Sequence, residues 1–359
     1  SEEEDMRYRF LFLIVPLCLA GCWDERQLKD LSAVTLVGAD GVVGDMKGYY
    51  VYDEATAPQG GTIIIESHGK SALDTRQHAQ LKVQQKLDLS ILSTFLLTKK
   101  SASQDLYEYI DIYYRDPLNP MTARIAVVDG DMKPFLEVAE AWEMEAGEYY
   151  KGFFHSLEDN TFIIPYTIQT AGVALTDPDR DLALPYLKMG KNSSKPEFEG
   201  LALFSERRFR GEIVPAEDSM YVTLLNDTKG TAAVFSYMYK ENSPLSVRVL
   251  DLNRDIQIST EGITIHLDVK ITIDEFPENE LYNKKKRQEV QQYVQEKFNE
   301  EFTRVIKHLQ KAKSDVLGLG GMVRAYENSL YKQPWRDTYS TLPIKVTSNV
   351  TIRRTGIMF

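Results

Sequence analysis

The sequence predicts an α+β chain of more than one domain, with sheets covered by helices and a long C-terminal helix packed on an antiparallel sheet. Three observations lead there. Between residues 62 and 140, short apolar runs alternate with helix-patterned stretches, as in a sheet with helices on its faces. Residues 263–274 alternate strictly: Ile263, Ile265, Leu267, Val269, Ile271 and Ile273 share one face, and Thr264, His266, Asp268, Lys270 and Thr272 the other. That is the period of a strand buried on one side. Residues 280–312 repeat Val290, Val294, Phe298, Phe302, Val305 and Leu309 at three- and four-residue steps, an amphipathic helix.

The elements follow in order. Residues 1–21 read as an export signal that is removed. Arg7 and Arg9 form its positive part, and the apolar run 10–20 is broken once by Pro16. Signal cores are about 7–15 residues, whereas a spanning helix needs about 18 or more. Met6 is the natural start of such a signal. Leu19, Ala20, Gly21 and Cys22 close it, and this tetrapeptide resembles the lipobox of bacterial lipoproteins. The resemblance implies cleavage between Gly21 and Cys22, diacylglycerol on the Cys22 sulfur, and an N-acyl chain such as palmitate on the new terminus. A thiolate is the good nucleophile for that alkyl transfer. Two acyl chains or more give stable anchoring.

Residues 33–38 read as a first buried strand, 40–60 as loop or hairpin, and 62–66 as a short strand. Ser71 is a natural N-cap for a helix over 71–85, with Asp74 at its third position. An apolar strand is expected over 89–98. A helix over 103–114 follows, facing inward through Leu106, Tyr109, Ile110 and Tyr113. Residues 123–128 read as a strand and 133–140 as a helix. The aromatic stretch 142–172 (Trp142, Tyr149, Tyr150, Phe153, Phe154, Phe162, Tyr166) suits either a helical cover over the sheet or a binding surface, with the cover favoured.

Gly190, Asn192, Ser193, Ser194 and Pro196 make 191–197 the best linker in the chain. It divides an N-terminal α/β-alternating part, 22–190, from a strand-rich C-terminal part, 198–359. There, 198–204 and 209–213 form a hairpin, and 232–239 and 246–250 read as strands. The helix 280–312 is expected to lie across its own sheet rather than to form a coiled coil, because its stripe is not a sustained heptad seam. Asp315 is a natural N-cap for a helix reaching about Tyr331. The last strand, 346–352, is expected to pair with 263–274. Gly318, Gly320 and Gly321 are not read as a phosphate cradle, since no Lys-Thr pair and no strand–loop–helix context accompany them.

Composition sets limits. The chain has 359 residues and a net charge of −11, about −9 without residues 1–21. Acidity argues against nucleic-acid binding and against electrostatic docking to anionic lipid. Of the two cysteines, Cys18 leaves with the signal and Cys22 is consumed by lipid, so no disulfide is expected. The five histidines (His68, His78, His155, His266, His308) form no close ligand pair, and no nucleophile elbow or P-loop is present. No catalytic residue, metal site or cofactor is therefore expected.

Several motifs carry a further resemblance. They are Cys22, Trp23, Asp24, Arg26, Leu28, Asp30 and Leu31, then Gly38 and Asp40; Tyr114, Arg115, Asp116 and Pro117; Val127, Val128 and Gly130; Gly200, Ala202 and Phe204 with Gly211 and Ile213; Asp315, Leu317, Gly318, Leu319 and Gly320; and Leu342, Pro343 and Ile344, closing on Arg353, Arg354, Thr355 and Gly356. Together they resemble the Ger(x)C-type spore germination lipoproteins, the C subunits of nutrient germinant receptors. The resemblance spans nearly all of the chain and is loosest over 40–190. It implies a lipid-anchored, non-catalytic subunit on the outer face of the spore inner membrane. Its partners would be integral-membrane A and B subunits, and its role receptor assembly or signalling. Trp23, Asp24 and Arg26 are candidates for docking the tether beside a partner, or for a simple structural role. The competing reading is a solute-binding lipoprotein presenting a ligand to a transporter; a lipoprotein enzyme ranks third.

Overall fold

The computed structural model describes residues 31–53, 61–115, 119–138, 144–191, 195–278 and 280–354. The signal 1–21, Cys22, Trp23, Asp24, Arg26 and Trp142 lie outside the described residues.

A nine-stranded mixed sheet holds the first part of the chain. Its order is β3 (Thr62–Gly69), β2 (Asp45–Asp53), β1 (Leu31–Val42), β5 (Thr94–Thr98), β6 (Arg124–Asp129), β7 (Ala183–Met189), β8 (Pro196–Ser205) and β9 (Arg208–Pro215), with β4 (Lys86–Asp88) also on β1. β1, β5, β6 and β7 are mutually parallel, which requires crossovers between them. The antiparallel pairs β2–β3 and β8–β9 flank that centre. Helices supply the crossovers and cover: α1 (Ala72–Gln80), α2 (Lys99–Ala102), α3 (Tyr107–Arg115), α4 (Met132–Leu136), α5 (Ala146–Asp159), α6 (Ile168–Thr176) and α7 (Ala216–Leu225).

Local chemistry explains several boundaries. Ser71 accepts from the Asp74 N–H at 3.2 Å, the expected cap, while the Asp74 carboxylate takes the Lys70 N–H at 2.8 Å. Tyr109, Ile110 and Tyr113 are the buried face of α3. Tyr150, Phe154 and Tyr166 are buried and Tyr149, Phe153 and Phe162 half-buried, so the aromatic stretch is cover over the sheet.

Three expectations need correction. The strand over 89–98 begins only at Thr94. Leu89 and Leu92 are buried from a turn closed by the Leu92 N–H on the Leu89 carbonyl at 2.9 Å, so core side chains in a turn imitate a strand. The expected linker 191–197 does not separate two domains: β7 and β8 pair antiparallel on either side of it, Pro196 and Glu197 already belong to β8, and the Gly190 N–H donates to the Lys195 carbonyl at 2.9 Å. Residues 198–215 therefore complete the first sheet. The helix after Asp315 runs from Leu319 to Tyr326 and stops short of Tyr331.

The second sheet is β10 (Ala233–Lys240), β11 (Ser243–Ser259), β12 (Gly262–Glu275) and β13 (Ile344–Arg354), in that order. Its first three strands are antiparallel. β13 pairs with β12 as expected but runs parallel to it, because the chain returns through helices α8 (Lys284–Lys311), α9 (Leu319–Tyr326) and α10 (Trp335–Thr341). The six apolar β12 residues are all buried, as are Val290, Val294, Phe298, Phe302, Val305 and Leu309 of α8. Phe298 sits 5.2 Å from Phe235 ring to ring and 5.7 Å from Phe302. Asn283 caps α8 by accepting from the Lys285 N–H at 2.9 Å.

α8 also closes the outer edge of β13. Asn299 Oδ1 takes the Ser348 N–H at 2.6 Å, Gln295 Oε1 the Val350 N–H at 3.2 Å, and Gln291 Oε1 the Ile352 N–H at 3.4 Å. Residues 291, 295 and 299 stand four apart on one helix face, matching alternate amides of the strand.

Candidate functional site

A buried polar joint connects the two sheets. Four chain segments meet there: 177–181 ahead of β7, 204–206 at the end of β8, 313–320 between α8 and α9, and 331–336 leading into α10. Asp315 stands at the centre. Its Oδ1 accepts from the Leu319 N–H at 3.0 Å; its Oδ2 accepts from the Gly320 N–H at 2.8 Å and from the Trp335 indole N–H at 2.9 Å. It thus caps α9 from three residues further back than a standard N-cap. The residue just before the helix is Gly318, whose φ of +68° is ordinary only for glycine.

Asp181 and Asp315 hold each other's backbone. The Asp315 N–H donates to Asp181 Oδ2 at 3.0 Å, and the Asp181 N–H donates to the Asp315 carbonyl at 3.0 Å. Asp181 Oδ1 also accepts from the Glu206 N–H at 3.0 Å and from Arg336 Nη2 at 2.8 Å. Arg336 reaches the Pro178 carbonyl as well. Ser314 and Ser205 stitch the same place, donating to the Phe204 carbonyl at 2.5 Å and the Lys313 carbonyl at 2.8 Å. Beside them, Tyr331 stacks on Trp335 at 5.5 Å and donates to Asp179 Oδ1 at 2.5 Å, while Arg324 lies 2.9 Å from Asp179 Oδ2.

Burial pushes the Asp315 carboxyl up to about 7, against the three N–H donors, with Asp181 adding to the rise. Burial also raises Asp181, opposed chiefly by Arg336. A carboxyl lifted towards neutrality often marks a catalytic acid. Here both Asp315 oxygens are engaged by N–H donors and the residue is sealed from solvent, so its chemistry is fastening.

Gly320 explains the glycine spacing. A Cβ there would lie 2.4 Å from Trp335 Nε1 and 2.7 Å from Asp179 Cβ, so only glycine lets the helix start against the indole. The family motif from Asp315 to Gly320 is thereby assembled, together with three residues that sequence reasoning missed: Asp181, Trp335 and Arg336. Trp335 gave a signal, as one of three tryptophans in the chain.

A second feature lies at the carboxyl ends of the parallel strands, where open α/β sheets tend to bind ligands. An open cleft of about 500 Å³ there is lined by Asp40, Thr98, Lys99, Lys100, Asp129 and Asp131. Asp40 Oδ1 is already engaged, accepting from Thr98 Oγ1 at 2.7 Å and from the Gly41 N–H at 2.8 Å. The histidines stay apart: His68 and His78 meet only through the His68 carbonyl, at 2.5 Å from His78 Nδ1. Among the described residues no group of three or more His, Cys, Asp or Glu is arranged to hold a metal ion. No described helix is long and apolar enough to cross a membrane.

Comparison with known proteins covers nearly the whole chain. Residues 24–189 match the family described as spore germination protein N-terminal domain, and 199–356 the family described as spore germination B3/GerAC-like, C-terminal. The two matches meet at the β7–β8 turn. Spore germination protein GerQC of Bacillus cereus is 21% identical, over 98% of this chain and 99% of its own. Spore germination protein KC of Bacillus subtilis (strain 168) is 20% identical, over 97% and 95%. Putative spore germination protein YfkR of the same strain is 18% identical, over 97% and 96%. A crystal structure of the GerBC protein shares the fold, with a TM-score of 0.56 and 15% identity, covering 92% of this chain and all of that one.

Proposed function

The chain belongs to the Ger(x)C family of spore germination proteins, whose members function within germinant receptor complexes, and on that premise we propose that it is the lipid-anchored, non-catalytic C subunit of such a receptor. The observation that carries the lipid anchor is one of position. The Leu19–Gly21 tripeptide leads into Cys22, which stands two positions before residue 24, where the family match begins. Cys22 then carries diacylglycerol on sulfur and an acyl chain on nitrogen, and the body lies on the outer face of the spore inner membrane beside the A and B subunits.

The anchor also limits how far the body can stand from the membrane. Cys22 lies nine positions before Leu31, so even a fully extended tether holds the start of β1 within about 30 Å of the bilayer surface. Confinement near the membrane raises the effective concentration of the subunit beside its partners without any new contact. With a net charge of about −9 once residues 1–21 are removed, the chain gains little from anionic lipid, which leaves attachment to the acyl chains.

The non-catalytic reading draws support from the joint itself, where the Asp315 carboxyl, raised to about 7, is sealed and bonded. A solute-binding lipoprotein would place two similar α/β lobes around a cleft. Here four mutually parallel strands form the centre of one sheet, and the other sheet has four strands of which only β12 and β13 run parallel.

Mass spectrometry of the protein isolated from spore membranes tests the anchor. The expected N-terminal peptide begins at Cys22 and carries a diacylglyceryl thioether. A mature terminus elsewhere, or an unmodified Cys22, would contradict it.

A further inference from the structure

The two outer edges of the second sheet are treated differently. β13 has its alternate amides taken by Asn299, Gln295 and Gln291. β11 has no such cover over its second half. β10 pairs with it only from Ser243 to Val249, while β12 pairs with it on the other side as far as Ser259. β10 has no chain to extend the pairing, because the residues before it turn away: the Ala232 N–H goes to the Asp159 carbonyl at 2.8 Å and the Gly230 N–H to Thr161 Oγ1 at 3.0 Å. Among the described residues, the Leu252 N–H reaches the neighbouring Asp251 carboxylate, and no other chain segment bonds to the outward main-chain groups of 250–259. An exposed edge of that length is a template for another strand.

Its side chains add shape and sign. Leu252, Ile256 and Ile258 are half-buried on the inner face, and Ile256 and Ile258 join Met322 and Tyr326 of α9 around a cleft of about 310 Å³. Tyr326 is 79% exposed there, with its ring over no described partner. Arg254, on the same inner face, does not block the edge, since its guanidinium turns back to the Leu225 carbonyl at 2.6 Å. Asp255 is exposed on the outer face, where it accepts from Gln257 Nε2 at 2.9 Å and, among the described residues, faces no cation, while the nearby Asp251 is paired with Lys270. An edge strand beside a helix, with an apolar cleft between them, is the geometry by which extended peptides join a sheet.

We propose that the free edge of β11 over residues 250–259, with the cleft beside α9, docks an extended segment of a partner protein that is apolar on one face and basic on the other. Main-chain hydrogen bonds would hold the segment, alternate apolar side chains would enter the cleft at Ile256, Ile258 and Tyr326, and lysine or arginine would face Asp255. A second copy of this chain is the poorer occupant, since each copy carries a net charge of −11 and would bring its own carboxylates to the edge. The proposal holds whether or not Cys22 is lipidated.

The test uses the full chain in detergent and a short fluorescent peptide alternating lysine with isoleucine or valine. A matched peptide has glutamate in place of lysine. Binding is read by anisotropy at low salt, and amide exchange locates it. The lysine peptide is expected to bind, to slow exchange at alternate amides of 250–259, and to weaken roughly tenfold in Tyr326→Ala, an exposed change that leaves the fold alone. Asp255→Lys is expected to move the preference to the glutamate peptide. No binding, equal binding by Tyr326→Ala, or slowed exchange elsewhere would overturn the proposal. So would self-association through this edge in sedimentation.

Discussion

The Trp335 indole N–H donates to Asp315 Oδ2 at 2.9 Å, and Gly320 is the residue that lets the two approach. This contact joins the end of α8, the start of α9 and the start of α10, while Asp315 bonds in turn to Asp181 ahead of β7. The second sheet is thereby fastened to the first.

The pH dependence of that joint has a definite sign. Asp315 has a folded pKa near 7, above the unfolded value of about 3.9. The folded state therefore holds the extra proton between these values, and stability falls as pH rises through the window, by up to about 1.4 kcal/mol per pH unit. Asp181, raised too, acts in the same direction. Asp315→Asn points an amide N–H₂ at donors and is expected to be less stable at every pH. Its deficit should be largest below about pH 4 and shrink as pH rises towards 7 in urea titrations. Parallel curves for the two proteins would refute the assignment.

Two neighbouring glycines should respond in opposite ways. Gly320→Ala drives a Cβ into Trp335 Nε1, and overpacking of that kind costs about 1–3 kcal/mol. Gly321→Ala meets nothing within 4 Å and removes a helix-interior glycine, which should stabilise by up to about 1 kcal/mol. Thermal melts of the two variants, shifted to either side of wild type, check this.

Arg336 should be worth more than a surface cation. Its side chain is 14% exposed and that of Asp181 1%, so Arg336→Ala leaves a buried carboxylate without its cation. A loss of about 3–5 kcal/mol is expected in urea unfolding. Arg304, half exposed and also paired bidentately with Asp218, should lose less on the same change.

Much of the fold was legible because one-sided burial leaves a period in the sequence. The alternation of β12 and the stripe of α8 are direct records of facing each other across a core, and Ser71 marks a helix start by its own side-chain chemistry, whereas the Asn283 cap that starts α8 four residues after the expected start was not read from the sequence. Elsewhere two causes share one appearance. Gly190 and Pro196 suit a hairpin turn as well as a linker, and Leu89 and Leu92 are as apolar in a turn as in a strand. The joint was half legible. The motif from Asp315 to Gly320 stands out by its spacing. Asp181 and Arg336 lie more than a hundred residues apart in the chain and look like ordinary surface charges until the fold brings them to 2.8 Å.

The proposed role is service to a germinant receptor from a lipid anchor at Cys22. The most direct measurement is germinant-triggered dipicolinate release from spores carrying Cys22→Ala, beside wild type, with subunit levels followed by blotting. Release is expected to be lost, with the partner subunits retained or falling together with the variant. Normal release from spores in which the protein has left the membrane would contradict it.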